Sequence, residues 1–189
     1  MSDERPRLAF VTGHTDSAKG ARMCVGSVAE WDYCNLLGAM CVARAKKMGY
    51  DAEQFWRETE GQLGVTKAYE RVKGWGATCA VELHFNASAD PKPQGACMLF
   101  KKGSVEGSKL ATCLLNRIVF GLARKSRGVL ALGDGDRGGW SVANGSGVLT
   151  VIAEPFFGSN KDDCQFALVD MGSLAQTLVN GVLEYAGRV

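Results

Sequence analysis

The sequence predicts a single α/β domain, in which a twisted, mainly parallel mixed sheet is flanked by helices on both faces. Short apolar runs of strand length recur along the chain, and they are continuous rather than alternating, as expected of strands covered on both faces. Segments with helical periodicity lie between these runs, and this alternation is typical of a layered fold with a parallel sheet. The length of 189 residues suits one domain, so residues 1–189 are expected to form a single unit.

The four predicted strands are apolar runs of strand length. They are Leu8–Thr12, Cys79–Phe85, Ala96–Phe100 and Val148–Ala153. Each has a length that is usual for a strand. A shorter apolar run, Val129–Leu132, precedes a glycine-rich stretch.

Three apolar stripes at helical spacing predict the main helices. The stripes are Cys34, Leu37, Cys41, Ala45 and Met48; Leu110, Leu114, Ile118 and Leu122; and Met171, Leu174, Leu178, Val182 and Tyr185. Gly49 is placed to end the first helix, because glycine is the usual residue just beyond a helix C-terminus. Residues 64–75 are expected to hold a further short helix.

The bulk composition excludes several classes of protein. Lys and Arg number 22 and Asp and Glu number 20, so the formal net charge of +2 gives no reason to expect a nucleic-acid partner. Every apolar run falls short of the roughly 18–20 residues that a membrane span needs. The charged N-terminus lacks the apolar stretch of a signal peptide, so synthesis in the cytoplasm is expected.

The seven cysteines do not suggest a disulfide framework. Their number is odd and no two have Cys-x-x-Cys spacing, so a zinc ribbon is not indicated either. Most lie in apolar runs and are expected to be reduced, buried thiols. A catalytic thiolate would need a partner histidine, and the only two histidines occupy other positions of interest.

Those two histidines follow predicted strands. His14 comes two residues after the first strand, His84 lies at the end of the second, and Glu154 directly follows the last. If these strands are parallel neighbours, the three side chains lie at one carboxyl edge, where open α/β sheets build their sites. A hydrolytic zinc site needs three protein ligands, an open position and a nearby carboxylate base. Spacing alone leaves a structural role for each histidine open and does not select the carboxylates.

Four motifs in order along the chain identify a family. Gly13–Ala21 (GHTDSAKGA) pairs Gly-His with a later Gly-Ala, and Glu30 heads a predicted helix that ends at glycine. Glu82–Ala87 (ELHFNA) ends a strand, and Val151–Asn160 (VIAEPFFGSN) follows last. Together these motifs resemble the zinc-dependent N-acetylmuramoyl-L-alanine amidases, and most of all the phage and prophage endolysins among them.

The resemblance implies a function and a division of roles. It implies that the protein hydrolyses the amide bond between N-acetylmuramic acid and L-alanine in bacterial peptidoglycan. It implies Zn²⁺ as the cofactor, with His14, Glu30 and His84 as its ligands and Glu154 as the catalytic general base. Asp32 remains a rival to Glu30, because the acidic and basic pair usual at this helix start is altered here.

Further residues are candidates for the substrate side. Residues 133–138 match the dinucleotide pattern G-x-G-x-x-G, but residues 139–147 are not expected to form the helix that such a site requires. Arg137 in this loop is a candidate to bind a carboxylate of the substrate. Asn86 either contacts substrate or turns the chain, and Glu82 is either a partner of the second histidine or a structural carboxylate.

The expected partner is therefore bacterial peptidoglycan, with neither nucleic acid nor a membrane. A monomer is favoured, with no separate wall-binding domain, and the protein is expected to reach the wall after release by a helper such as a holin. Two alternatives remain open: a zinc peptidase that cuts within the stem peptide, and a catalytically inactive peptidoglycan-binding module. A thiol-dependent enzyme is the remotest reading.

Overall fold

The strands of the computed structural model, which describes residues 5–144 and 147–188, form one six-stranded sheet. They are β1 (Leu8–Thr12), β2 (Ala52–Trp56), β3 (Cys79–Leu83), β4 (Ala96–Lys101), β5 (Ser126–Leu132) and β6 (Leu149–Glu154). The helices are α1 (Glu30–Lys47), α2 (Gly61–Trp75), α3 (Val105–Gly121), α4 (Gly139–Asn144), α5 (Lys161–Val169) and α6 (Met171–Tyr185).

The sheet order is β2-β1-β3-β6-β4-β5, and only the β4–β6 pair is antiparallel. The strands before the two histidines and the one that ends in Glu154 are therefore adjacent and parallel. Their register aligns Thr12 with Leu83 and Leu83 with Ala153. The carboxyl ends of β1, β3 and β6 consequently meet at one edge, as the sequence predicted.

Helices cover both faces of the sheet. Leu8 and Phe10 of β1 pack into the larger core cluster, which also holds the apolar faces of α1, α3 and α6. Ala9 and Val11 point to the opposite face and pack with Tyr69 and other residues of α2. Successive strand residues alternate between the faces, so a continuous apolar run is what a strand covered on both sides requires. The predicted fold class is confirmed.

Several elements were not predicted, and one prediction was wrong. β2 was missed because it is an edge strand that carries exposed and half-buried polar residues such as Glu53 and Gln54. α5 was also missed, and β5 begins three residues before the apolar run at Val129. The stretch expected to be non-helical after Gly138 contains α4.

Packing explains α4 despite its glycine-rich surroundings. Val142 is buried and Trp140 packs against the cluster on the α2 face, so tertiary contacts outweigh weak helix propensity. The G-x-G-x-x-G pattern therefore does open a short helix. Dinucleotide binding is still disfavoured. The Gly133 amide, which would have to donate to a phosphate, instead donates to the carboxylate of Asp136 at 2.7 Å.

Among the described residues, no single helix is long and apolar enough to cross a membrane. α5 and α6 reach that length and composition only as a pair, and they are bent by 84° at the break between them.

Candidate metal centre

Three side chains from three separate elements meet at the carboxyl edge of the sheet. His14 follows β1 in a left-handed backbone conformation with φ of 62°, and His84 follows β3 directly. Glu30 is the first residue of α1 and is only 4% exposed. Parallel strand ends and the start of a packed helix thus bring together residues that are 70 positions apart in the sequence.

Glu30 bridges the two imidazole rings. Its Oε2 lies 3.1 Å from Nε2 of His14, and its Oε1 lies 2.9 Å from Nδ1 of His84. The backbone amides of Ala21 and Phe85 donate to the same two carboxylate oxygens at 3.1 and 3.2 Å. These contacts hold the carboxylate rigidly between the rings.

One potential ligand atom from each of His14, Glu30 and His84 lies within 4.8 Å of the others. Two imidazole nitrogens and a carboxylate oxygen form a donor set that suits Zn²⁺. Asp32, the rival ligand, lies outside this group and pairs with Lys19 at 2.8 Å. The three residues named from the sequence therefore form a group that could hold a metal ion.

Two glycines make room for this group. A Cβ atom at Gly13 would lie 2.3 Å from the ring of His84. A Cβ atom at Gly20, where φ is +74°, would lie 2.6 Å from Oε2 of Glu30 and 2.7 Å from the ring of His14. The Gly-His and Gly-Ala pairs of the first motif thus have a steric reason, because no side chain fits at either glycine.

The contacts within the group shift the pKa values of Glu30 and His84 in opposite directions. Burial opposes ionisation of Glu30, but its hydrogen bonds with both imidazoles hold its pKa at about 2. Burial also opposes protonation of His84, yet its contacts with Glu30 and Glu82 raise its pKa to about 10. A metal would bind the neutral form of His84, so metal binding would be coupled to the release of a proton.

Glu154 ends β6 and lines the same cleft, which has a volume of about 360 Å³. Its Oε2 is buried and has no hydrogen-bond partner. Burial raises the pKa of Glu154 to about 7, although the positive charges of His84 and Arg137 work in the opposite direction. A carboxylate with such a pKa is suited to exchange protons near neutral pH.

The two candidates for substrate contact also line the cleft. Arg137 is an exposed side chain at its rim. Asn86 is half-buried, its Oδ1 accepts from the amide of Ala87 at 2.9 Å, and its backbone bonds to Phe156 and Gly158. These bonds form an isolated parallel β-bridge with Phe157, so the turn predicted for Asn86 is not found at this position. Its place in the cleft is compatible with the alternative prediction of substrate contact.

Sequence reasoning missed Arg57 and Tyr69, which reach the site through Glu82. Arg57 is paired with Glu82 and lines the cleft, and the hydroxyl of Tyr69 donates to the same carboxylate at 2.7 Å. Arg57 directly follows β2, so its position at a strand end was the available signal. This signal was missed because β2 was not predicted from the sequence.

Comparisons with known proteins agree with this architecture. The sequence profile of the N-acetylmuramoyl-L-alanine amidases matches residues 9–184. No curated protein matches the chain.

Solved structures similar to this chain cover nearly all of it. An N-acetylmuramoyl-L-alanine amidase from Clostridium difficile 630 has a TM-score of 0.80 at 19% identity, covering 97% of this chain and 98% of its own. The catalytic domain of the CD27L endolysin targeting Clostridia difficile has a TM-score of 0.81 at 23% identity, covering 95% and 98%. The amidase Ami1 from Mycobacterium smegmatis has a TM-score of 0.80 at 12% identity and covers 100% of both chains. At these identities, the likeness shows a shared fold.

Proposed function

The chain belongs to the N-acetylmuramoyl-L-alanine amidase family, and from this premise we propose that it is a zinc-dependent enzyme that cuts the bond between N-acetylmuramic acid and L-alanine in bacterial peptidoglycan. The observation that carries the proposal is the convergence of His14, Glu30 and His84 within 4.8 Å, beside the unpartnered carboxylate of Glu154. Family membership supports the substrate bond, and the geometry supports the chemistry.

In this proposal His14, Glu30 and His84 hold Zn²⁺. Two imidazoles and one carboxylate are a donor set found in catalytic zinc sites, which keep a further position open. Bound zinc supplies Lewis acidity, which polarises the amide carbonyl and makes water easier to deprotonate. The cleft beside the group gives both water and the amide access to it.

Glu154 is the proposed general base. Its Oε2 has no protein partner, so it is free to accept a proton from the attacking water. It then delivers that proton to the amide nitrogen of L-alanine as the C–N bond breaks. A pKa near 7 lets the same carboxyl group serve in both steps at neutral pH.

Arg137 and Asn86 are the proposed substrate contacts. The guanidinium of Arg137 stands at the rim of the cleft and is suited to a carboxylate of the stem peptide. Asn86 lines the cleft, and its side-chain NH₂ group donates to the Sγ of Cys97 at 3.8 Å, a weak acceptor that a substrate oxygen could replace.

We propose a lytic role of the endolysin type, on the resemblance of the four motifs, with residues 1–189 acting as one catalytic domain and as a monomer. Its substrate lies outside the cytoplasmic membrane, so this role includes passage to the wall with a helper such as a holin.

The test uses purified protein and isolated peptidoglycan sacculi. We expect metal analysis to find about one zinc per chain. The protein should reduce the turbidity of the sacculi (clearing), and this activity should be lost on chelation and recovered on adding Zn²⁺. The digested wall should carry new L-alanine amino termini on otherwise intact stem peptides. New amino termini within the stem would instead identify a zinc peptidase. Bound zinc with no clearing would identify an inactive wall-binding module, and clearing that survives chelators but not thiol blockers would contradict the metal mechanism.

A further inference from the structure

Glu82 lies within β3, and its ionisable side chain is fully buried. A buried carboxylate is costly unless it is paired and hydrogen-bonded. Here four groups surround it. They are Nε2 of His84 at 3.0 Å, the Tyr69 hydroxyl at 2.7 Å, the Ser141 hydroxyl at 3.4 Å and the Arg57 guanidinium.

These groups come from different parts of the fold. Tyr69 belongs to α2, Ser141 to α4, and Arg57 follows β2. Arg57 also donates to the Ser141 hydroxyl at 3.3 Å, so the surroundings of Glu82 are themselves cross-linked. The carboxylate is therefore held from three sides and has little freedom to turn away from His84.

The two nitrogens of the His84 ring face different carboxylates. Nδ1 lies 2.9 Å from Glu30, within the metal group, and Nε2 lies 3.0 Å from Glu82, behind it. An ionised carboxylate accepts hydrogen bonds and donates none, so the contact with Glu82 holds a hydrogen on Nε2 of His84. A metal bound by His14 and Glu30 would lie on the Nδ1 side, and with Nε2 protonated the neutral ring offers its lone pair to that side.

We propose that Glu82 is a positioning residue that fixes the tautomer and orientation of His84 for metal binding, and that Arg57 and Tyr69 hold Glu82 in place for this purpose. The inference rests on the proposed metal site and adds a residue behind it. A carboxylate that accepts from a metal-bound histidine also makes that histidine a stronger donor.

A purely structural role for Glu82 makes a different prediction. An ion pair that served only the fold would affect stability when broken, but not metal affinity in the protein that remains folded. Asp163 supplies the matched control, because it is also fully buried and paired with an arginine, Arg124, without touching His14, Glu30 or His84.

The experiment measures the zinc affinity of folded protein by competition with a chromogenic chelator. We expect Glu82→Gln to weaken zinc binding by roughly 10–100-fold, the range seen when such outer partners are lost. Tyr69→Phe should weaken it by less, because it removes one anchor of Glu82 and leaves the His84 contact. Asp163→Asn should leave the affinity within about two-fold of the unmodified protein, whatever its effect on stability.

Cobalt substitution supplies a second readout. The visible absorption of Co²⁺ in the site should shift in Glu82→Gln, because the donor strength of His84 changes, and should not shift in Asp163→Asn. If Glu82→Gln does not fold, the zinc affinity and the Co²⁺ absorption are both measured on Tyr69→Phe.

The outcomes separate this inference from the proposed function. Absence of zinc binding in the unmodified protein would overturn both. Tight zinc binding that Glu82→Gln and Tyr69→Phe leave unchanged would overturn the role of Glu82 alone. An equal loss of affinity in Asp163→Asn would reduce the effect to general destabilisation, and it too would overturn this role.

Two cysteines that are far apart in the sequence lie close together in the fold. Cys24 is exposed in the loop that leads to α1, and Cys164 is buried in α5, but their Sγ atoms lie 3.6 Å apart. Both residues are held at the same backbone carbonyl. The amide of Cys24 donates to the oxygen of Gly158 at 2.7 Å, and Sγ of Cys164 donates to it at 3.0 Å.

We infer that Cys24 and Cys164 are a site of disulfide formation. The bond requires Sγ atoms about 2.05 Å apart, so they need to approach by about 1.5 Å. With a small-molecule disulfide as oxidant, the exposed Cys24 thiolate attacks one sulfur and releases one thiol. Cys164 then attacks Sγ of Cys24, and its proton passes to the leaving thiolate, which departs as the second thiol. Two protein thiols are oxidised and one oxidant disulfide is reduced.

The test incubates native, reduced protein with oxidised glutathione and analyses it by mass spectrometry. We expect a loss of two hydrogen atoms and a linked peptide pair containing Cys24 and Cys164. Cys24→Ser should abolish the linkage, while Cys113→Ser, which removes another partly exposed thiol, should leave it intact. A stable glutathione adduct on Cys24, or a linkage between other cysteines, would overturn the inference.

Discussion

At the scale of single residues, the site depends on groups that have no alternative partner or no alternative size. Glu154 has a buried oxygen without a hydrogen bond, and Gly20 has no room for a Cβ atom. A buried oxygen without a hydrogen bond costs free energy, and a position that excludes a Cβ atom restricts the sequence to glycine. Both features are expected if the neighbouring side chains bind a metal ion. Each therefore gives a prediction.

Replacing Glu154 by glutamine should separate metal binding from catalysis. Because Glu154 lies outside the group that is proposed to hold the metal, Glu154→Gln should keep its zinc content. Loss of the base should lower the rate of wall clearing by roughly 10²–10⁴-fold. Zinc content and turbidity loss on the same preparation measure both effects, and retained lysis in the variant would refute the assignment.

The same substitution should change the pH dependence of stability in the metal-free protein. The folded-state pKa of Glu154 is about 7 against an ordinary value of 4.5, so the folded protein holds this proton more tightly. Its ionisation therefore destabilises the fold increasingly from pH 4.5 to 7, and fully above 7. Glu154→Gln should be more stable than the unmodified protein by about 2–3 kcal/mol at pH 8, and equally stable below pH 4.5.

Denaturant unfolding in the presence of a chelator at both pH values measures this difference. A stability gap that is equal at pH 8 and pH 4 would mean that Glu154 is not held in its protonated form by burial.

Gly20→Ala should weaken metal binding for a steric reason. The added Cβ atom would lie 2.6 Å from Glu30 and 2.7 Å from His14, so at least one ligand must move. Gly61→Ala is the matched control, because Gly61 has a similar φ of +72° but nothing within 4 Å of its Cβ position. Both variants should lose about 1 kcal/mol to backbone strain. Only Gly20→Ala should also lose zinc affinity in chelator competition, and an equal affinity in both would argue against the close approach.

At the scale of elements, α5 anchors the chain that follows Glu154. Asn160 caps the helix by accepting from the amides of Asp162 and Asp163 at 3.1 Å. The carboxylate of Asp163 in turn accepts from the amides of Gly95 and Phe157 at 2.8 Å and pairs with Arg124. One short helix start thus ties β6 to the loop before β4.

Asp163→Asn should lower the free energy of unfolding by about 2–4 kcal/mol, because it leaves Arg124 without its charge partner. Asp162 lies in the same helix turn but its side chain is exposed, so Asp162→Asn should cost no more than about 0.5–1 kcal/mol. Chemical denaturation of both variants gives the comparison. Equal losses would show that burial of the carboxylate is not what matters.

At the scale of the whole molecule, the proposed metal joins the ends of β1 and β3 to the start of α1. These elements already pack against one another, so a metal would reinforce the sheet edge rather than organise the domain. It would still stabilise the folded state by mass action, because the unfolded chain scatters the three ligands.

Chelation should therefore lower the melting temperature. A free zinc concentration a thousand times the dissociation constant contributes about 4 kcal/mol, which corresponds to roughly 8–16 °C for a domain of this size. Scanning calorimetry with EDTA and then with restored Zn²⁺ measures the change. His14→Ala should show little response to either addition, and an equal response would place the metal elsewhere.

Much of the fold and of the site follows from local sequence. Continuous apolar runs predicted β1, β3, β4 and β6, because a strand covered on both faces needs apolar residues at every position. His14, His84 and Glu154 lie at or just after the ends of predicted strands. To place them at one edge of the sheet required only the assumption that these strands are parallel neighbours. By contrast, β2 has polar residues and α4 has glycines around it, so their local signals favoured other structures.

What the sequence by itself determined is the α/β class and, through the four motifs, the family and the candidate residues His14, His84 and Glu154. Tertiary structure alone decided that Glu30 rather than Asp32 meets the histidines, because the turn of α1 sets which carboxylate faces the sheet edge. It also decided the surroundings of Glu82. Arg57 and Tyr69 come from distant elements, and no local pattern encodes a contact made only when those elements pack.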